Sequence, residues 1–301
     1  MTMNSSGPIS LGGTTAGVSI EIENGGNGTT QISLNDTAVR TLAGVPSGAI
    51  IMPTNFYGKA NQFNYTISSN QTNFCMRAGA VSAGWNQSSK LAVTINSGVI
   101  LSANSTGAFG MYIQGSFPNG VSLKNNGTIV GVGGNGGNGG GAYSPSIFSG
   151  CSGANAGPAL YIRSNIAICN ASGVIAAGGG GGGGNVIGGV ACCNYGGGGG
   201  GGGRSSAVTN SSGGSGGPAC CRYGSNGGTG TYGSAGGGGS NANGVGGSGG
   251  SGGNWGASGA PGNGYYGYGF TVGSGGAGGA ATCGTGYVTW TSTGTRYGAI
   301  N

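Results

Sequence analysis

The sequence predicts a mostly β and irregular protein: a small N-terminal module with one short helix, a strand-rich middle, and a C-terminal bundle of glycine-rich polyglycine-II helices. Three observations lead there. Glycine supplies 82 of 301 residues, and 64 of them fall after residue 130, with unbroken runs at Gly178–Gly184 and Gly196–Gly203. Charged residues make up only 4% of the chain, against about a quarter in an ordinary soluble domain. Short stretches of alternating apolar and polar residues are bounded by Asn- and Gly-rich turns, the pattern of strands. A half so poor in side chains cannot bury an ordinary apolar core, because burial scales with side-chain surface removed from water.

The elements follow in order. Residues 1–60 form the first module, where Val18, Ile20 and Ile22 alternate with Ser19, Glu21 and Glu23 as in a half-buried strand. Ser33 to Asp36 reads as a capping signal, leading into a helix over residues 37–43 that Gly44 stops. Residues 61–130 are strand and turn: Phe63, Tyr65 and Ile67 alternate, as do Leu91, Val93 and Ile95. A weak internal repeat places Ala108 to Gln114 against Gly157 to Arg163, with Tyr112 matching Tyr161, and stacked strands feeding glycine-rich rods account for it.

Residues 131–286 are the glycine domain, with GGNGGNGGG at 133–141, GGSGGSGGN at 246–254 and GGAGGA at 275–280. A polyglycine-II helix rises about 3.1 Å per residue with three residues per turn, so a seven-residue run makes a rod of roughly 22 Å. Such helices have no internal hydrogen bonds, and without Cβ atoms their backbones approach closely enough to bond laterally. Ordering glycine is costly, so these lateral bonds must be numerous. Residues 287–301 return to a closing strand from Tyr287 to Thr291 and a short tail.

Composition excludes several functions. The acidic side chains are Glu21, Glu23 and Asp36, and histidine is absent, so general acid–base chemistry has no carboxylate or imidazole beyond residue 36. The chain is expected not to be an enzyme and to hold no metal or cofactor. Its nine Lys and Arg residues are scattered singly, unlike the basic stripes of nucleic-acid binders. No apolar stretch is long enough for membrane insertion, and the start has neither a basic nor an apolar leader region. The glycine runs also lack the strand, helix and Lys-Ser/Thr context of phosphate loops.

The cysteines point outward from the cell. Seven of eight lie after residue 150: Cys151, Cys169, Cys192, Cys193, Cys220, Cys221 and Cys283. Disulfides are the favoured reading for a protein working in an oxidising exterior, with connectivity open. A leaderless chain with such cysteines fits a virion part, made in the host cytoplasm and released by lysis. Recognition residues are expected in the islands between glycine runs, since loops on a rigid scaffold carry binding and Tyr, Trp, Ser, Gly and Asn suit paratope-like surfaces. These are Tyr143, Phe148, Tyr195, Arg204, Arg222, Tyr223, Trp255, Tyr265, Tyr266 and Tyr268. The competing reading is that they cap the ends of a glycine lattice.

The first 60 residues, notably Ser6-Gly-Pro-Ile-Ser-Leu-Gly-Gly, the stretch from Ile32 to Gly48, and Asn55-Phe-Tyr-Gly-Lys, resemble a module shared among tail-associated virion proteins of tailed bacteriophages. The ending from Val288 to Gly298 resembles the close of similar fibre proteins. The glycine domain is similar to the receptor-recognising adhesins at the tip of long tail fibres in T-even-like phages. That resemblance implies attachment to other tail or fibre proteins through residues 1–60, and contact of the inter-run loops with a host-surface glycan or outer-membrane protein. It carries over no catalytic residue, and the eight cysteines depart from its pattern. A homo-oligomer is expected. The alternative is a purely structural subunit of a fibre or filament, without receptor contact.

Overall fold

The computed structural model describes residues 3–59, 61–85, 87, 89–143, 146–186, 196–219, 222–241, 248–264 and 271–301. The chain divides into two compact units: residues 1–66, 80–94 and 116–123, and residues 67–79, 95–115 and 124–301.

The first unit folds around a conventional apolar core. Met3, Ile20, Val39, Leu42, Ala43 and Phe56 are buried there, with Ile9, Leu11, Ile32 and Leu34 packed against them. Helix α1 (Ile20–Glu23) stands where the alternation predicted a strand. The cause is polar: Ser19 Oγ accepts from the Ile22 N–H at 3.2 Å and caps the helix, and both glutamates are buried, not solvent-facing. The Glu21 carboxylate accepts from the Asn27 and Gly28 N–H groups of the following turn. Gly26 leaves room for it, since a Cβ there would lie 1.9 Å from Glu21 Oε1 and would push the carboxylate aside. Glu23 Oε1 accepts from the Asn61 N–H at 2.9 Å, and burial pushes this carboxyl above its ordinary range. Helix α2 (Thr37–Ala43) forms as expected and ends at Gly44, which is left-handed with φ 72°.

The strands wind as repeated turns of three. They run β1 (Gln62–Ile67), β2 (Gln71–Thr72), β3 (Phe74–Cys75), then after helix α3 (Met76–Ser82) β4 (Lys90–Ile95), β5 (Ile100–Ser102) and β6 (Met111–Ile113). Next come β7 (Val121–Asn125), β8 (Thr128–Val130) and a hairpin of β9 (Gly141–Tyr143) and β10 (Ser146–Phe148). They finish with β11 (Leu160–Ile162), β12 (Ile166–Cys169), β13 (Val174–Ala176), β14 (Ala280–Cys283), β15 (Val288–Ser292), β16 (Thr295–Tyr297) and β17 (Ala299–Ile300). In the second unit one side of the stack is ordered β17-β14-β11-β6-β3 and another β16-β13-β8-β5-β2, and β12 pairs with β15 on the third. All these pairs are parallel. A parallel pair needs a crossover connection, and here the other two sides supply it. Tyr161 pairs with Tyr112 and Ile175 with Ile129, so the internal repeat is two successive turns of the stack.

Inside the stack, Leu101, Met111, Ile113, Ile129, Leu160, Ile162, Ile168 and Ile175 are fully buried. One corner is held by asparagine. Asn170 Oδ1 accepts from Asn125 Nδ2 at 2.7 Å, and Asn170 Nδ2 donates to the Thr293 and Thr295 carbonyls at 2.9 and 3.1 Å.

Glycine segments leave and re-enter this stack. Segment 131–141 leaves β8, 149–159 returns to β11, 177–186 leaves β13, and 271–279 returns to β14. Residues 160–176, inside the glycine domain by sequence, are therefore strands of the stack. Between 186 and 271 further segments cover 196–205, 211–219, 222–231, 234–241, 248–254 and 256–264. Their hydrogen bonds recur every third residue: the Gly134, Gly137 and Gly140 N–H groups donate to the Gly179, Gly182 and Asn185 carbonyls at 2.9, 2.8 and 2.7 Å.

The unbroken glycine runs are the buried ones. Every N–H from Gly178 to Gly184 donates, in rotation, to segments 149–159, 196–205 and 256–264, and every carbonyl accepts from 271–279, 131–141 and 248–254, all at 2.7–3.0 Å. Six neighbours leave no room for a side chain. A Cβ on Gly180 would lie 1.9 Å from the Gly276 carbonyl oxygen, and one on Gly183 1.9 Å from that of Gly273. Outer segments have one open side, and there every third residue carries a side chain into solvent, as at Asn135, Asn138, Ser212, Ser215, Ser274 and Ala277. Several of these side chains satisfy neighbouring main chains: Asn135 and Asn138 accept from the Ser212 and Ser215 N–H groups, both at 2.9 Å. Unpaired buried amides cost about 1–3 kcal/mol each, so this complete accounting is what holds the region.

Candidate binding surfaces

The glycine segments have two ends, one at the strand stack and one away from it. The sequence-predicted recognition residues divide between them. Phe148 ends β10, opposite Gly141 at the far end, and is 48% exposed. Arg222 and Tyr223 begin segment 222–231 there, with Tyr223 71% exposed. Tyr143 lies on β9. Tyr195, Tyr265, Tyr266 and Tyr268 lie outside the described residues, as do Cys192, Cys193, Cys220 and Cys221.

Trp255 and Arg204 sit at the opposite, strand end. Arg204 follows the Gly196–Gly203 run, and its carbonyl accepts from the Gly179 N–H just beyond β13. Its guanidinium carbon stands 3.5 Å from the centre of the Trp255 ring, and its Nε donates to the Tyr232 carbonyl at 2.9 Å. The indole Nε1 donates to the Ser205 carbonyl at 3.3 Å. Tyr232 meets the indole edge-on at 5.2 Å, and Tyr297 of β16 lies 6.0 Å away on another side. Sequence reasoning missed Tyr232 and Tyr297: the return of β16 to the stack brings Tyr297 beside Trp255, and the turn after segment 222–231 brings Tyr232 there.

A second aromatic group lies along one side of the stack. Phe109 packs on Tyr112 and Tyr161 at 5.4 and 4.9 Å. Arg163 Nε donates to the Tyr161 hydroxyl at 2.8 Å, and this bond raises the guanidinium above its ordinary pKa. The internal repeat already aligned Tyr112 with Tyr161, which was the available signal.

The disulfide expectation is corrected at three positions: Cys151, Cys169 and Cys283 carry free thiols, as does Cys75. The backbone register sets them apart, since Cys283 pairs with Tyr161 and Cys169 with Ser292 on different sides of the stack, while Cys151 bonds to Asn138 in the glycine lattice. Burial pushes the Cys283 thiol up. Among the described residues no cluster of His, Cys, Asp or Glu could hold a metal ion, and no helix is long and apolar enough to cross a membrane.

The described chain thus joins a three-sided parallel stack to a backbone-bonded glycine lattice that offers aromatic side chains at both of its ends. The family model for the phage tail fibre adhesin Gp38 matches residues 62–301, and the chain belongs to that family. It is thus a virion component that works outside the cell. The same fold occurs in a chain of the gp37–gp38 adhesin tip complex of the bacteriophage S16 long tail fibre, at a TM-score of 0.51 and 23% identity, over 97% of this chain and 100% of that one. Comparison with curated proteins finds no match.

Proposed function

We propose that this adhesin binds a host-cell surface receptor, a glycan or an outer-membrane protein, through the far-end loops of a polyglycine-II bundle. The polyglycine-II reading is supported by the three-residue period of the hydrogen bonds and by the three residues per turn of that helix class. The observation that carries the receptor reading is the exposure of Tyr223 and Phe148 at the lattice end away from the strands. Large aromatic side chains held in water on a rigid scaffold are poised for contact at little entropic cost. Tyr143, Tyr195, Tyr265, Tyr266 and Tyr268 are proposed as further recognition residues on the sequence pattern alone. Residues 1–60 are the proposed attachment to the fibre; the S16 chain occurs in complex with gp37, and a fibre protein is the corresponding partner here.

Adsorption of phage carrying Phe148→Ala with Tyr223→Ala tests the reading. Particles should assemble normally and adsorb at least about tenfold more slowly, the effect of losing one or two hot-spot side chains. Assembly with unchanged adsorption would refute it. Antibody against residues 131–279 should decorate the tip of the fibre; decoration along the shaft would favour a purely structural subunit.

A further inference from the structure

The two units differ in charge. The first holds Arg40, Lys59 and Lys90 against Glu21, Glu23 and Asp36, and balances. The second holds Arg77, Lys124, Arg163, Arg204, Arg222 and Arg296 with no acidic side chain at all. No carboxylate side chain can therefore pair with these cations within their unit. Three arginines rest on aromatic rings instead: Arg163 on Tyr161, Arg204 on Trp255 and Arg296 on Trp290. A cation–π contact leaves the hydrogen-bonding edge of a guanidinium unused.

Arg204 is the most firmly set of the three. Stacking on Trp255 at 3.5 Å and the Nε–H bond to the Tyr232 carbonyl fix both the plane and the rotation of the guanidinium. Among the described residues its two terminal nitrogens have no hydrogen-bond partner, and neither is among the buried unpaired atoms. They form a planar fork that reaches solvent. Tyr297, 45% exposed, and Tyr232 frame the indole beside it. A planar fork matches the two oxygens of a carboxylate or phosphate, and the flanking rings offer apolar faces to a sugar ring.

We propose that Arg204, Trp255, Tyr232 and Tyr297 form a subsite for an anionic sugar, one bearing a phosphate or a carboxylate. It is separate from the far-end loops, and rests on the proposed receptor reading only in taking the sugar to come from the bacterial surface. The unit has no side-chain carboxylate to repel an approaching anion, and attraction over about 10 Å at about 0.1 M salt favours the encounter.

Titration calorimetry on the full chain tests this with glucose 6-phosphate, glucuronate and glucose as probes. One or both anionic probes should bind and glucose should not, the stronger of the two identifying the oxyanion. Arg204→Gln should weaken binding about tenfold or more, the range for a charged hydrogen-bonding partner, and higher salt should weaken the wild type. Tyr297→Ala changes an exposed side chain and should weaken binding several-fold while leaving the melting temperature unchanged, so the result stands even where Arg204→Gln perturbs folding. Absence of anionic binding, equal binding of glucose, or an equal loss with Arg222→Gln would overturn the subsite. Such a failure would leave the adsorption defect of the Phe148 and Tyr223 variants untouched, and failure of that defect would leave the probe titrations untouched.

Discussion

Adding a single methyl group at Gly181 should damage the protein about as much as truncating a large core side chain. In the structure a Cβ there would stand 1.9 Å from the Asn135 carbonyl oxygen and 2.4 Å from its carbon, where ordinary contact begins at 3.4 Å. Segments 131–141 and 177–186 would have to part by about 1.5 Å, stretching the flanking bonds from Gly134 to Gly179 and from Gly137 to Gly182, now 2.9 and 2.8 Å, past the limit of a hydrogen bond. Two buried pairs lost at about 1–3 kcal/mol each give roughly 4 kcal/mol, a large share of the ~5–15 kcal/mol that stabilises a domain. At about 2–4 °C per kcal/mol the melting temperature should fall by roughly 8–16 °C. Gly237 is the control. It lies in an outer segment, a Cβ on it would meet nothing within 4 Å, and its φ is not left-handed. Gly237→Ala should therefore stabilise by about 0.4–1 kcal/mol through the unfolded chain. Scanning calorimetry of both variants beside the wild type reads the difference. Equal melting of Gly181→Ala and wild type, or equal losses in both variants, would refute close backbone contact as the reason for the glycine runs.

Asn170→Ala should remove about 3 kcal/mol, since it deletes one buried hydrogen bond from Asn125 and two part-buried ones to the Thr293 and Thr295 carbonyls, at about 1 kcal/mol each; a loss below about 1 kcal/mol by calorimetry would contradict that role. Glu23 titrates in the opposite sense to an ion-paired carboxylate. Burial raises its folded pKa, so its contribution to stability is full below the ordinary glutamate range and is lost as pH rises through the raised value. Denaturation of the first unit from acid to neutral pH should show this decline, and Glu23→Gln should flatten it; parallel profiles for the two proteins would rule it out.

Much of the fold was legible where local pattern and tertiary demand agree. The helix over 37–43 had both an entry signal and Gly44, and the strands at 62–67, 90–95 and 288–292 showed clean alternation. The glycine pattern is itself a map of depth: three consecutive glycines per three-residue period where six neighbours surround a segment, two glycines and one other small or polar residue where a side is open. Helix α1 was not legible, because Glu21 and Glu23 imitate the solvent face of a strand while being buried for their backbone partners. The return of residues 160–176 to the strand stack was hidden within a glycine-rich context, although the Tyr112–Tyr161 repeat pointed to it. The placement of Trp255 and Arg204 at the strand end depends on the direction of each segment, which composition does not encode. Tyr232 and Tyr297 join them only through contacts between residues far apart in sequence.

Amide hydrogen exchange across the glycine segments tests most directly whether main-chain bonds, rather than packed side chains, hold this half of the protein. Amides of Gly178–Gly184, each bonded within the lattice, should be as slow to exchange as those of Ile129 and Ile175 in the strand stack, with the 206–210 turn far faster. Exchange of Gly178–Gly184 at the rate of that turn, while Ile129 stays protected, would contradict it.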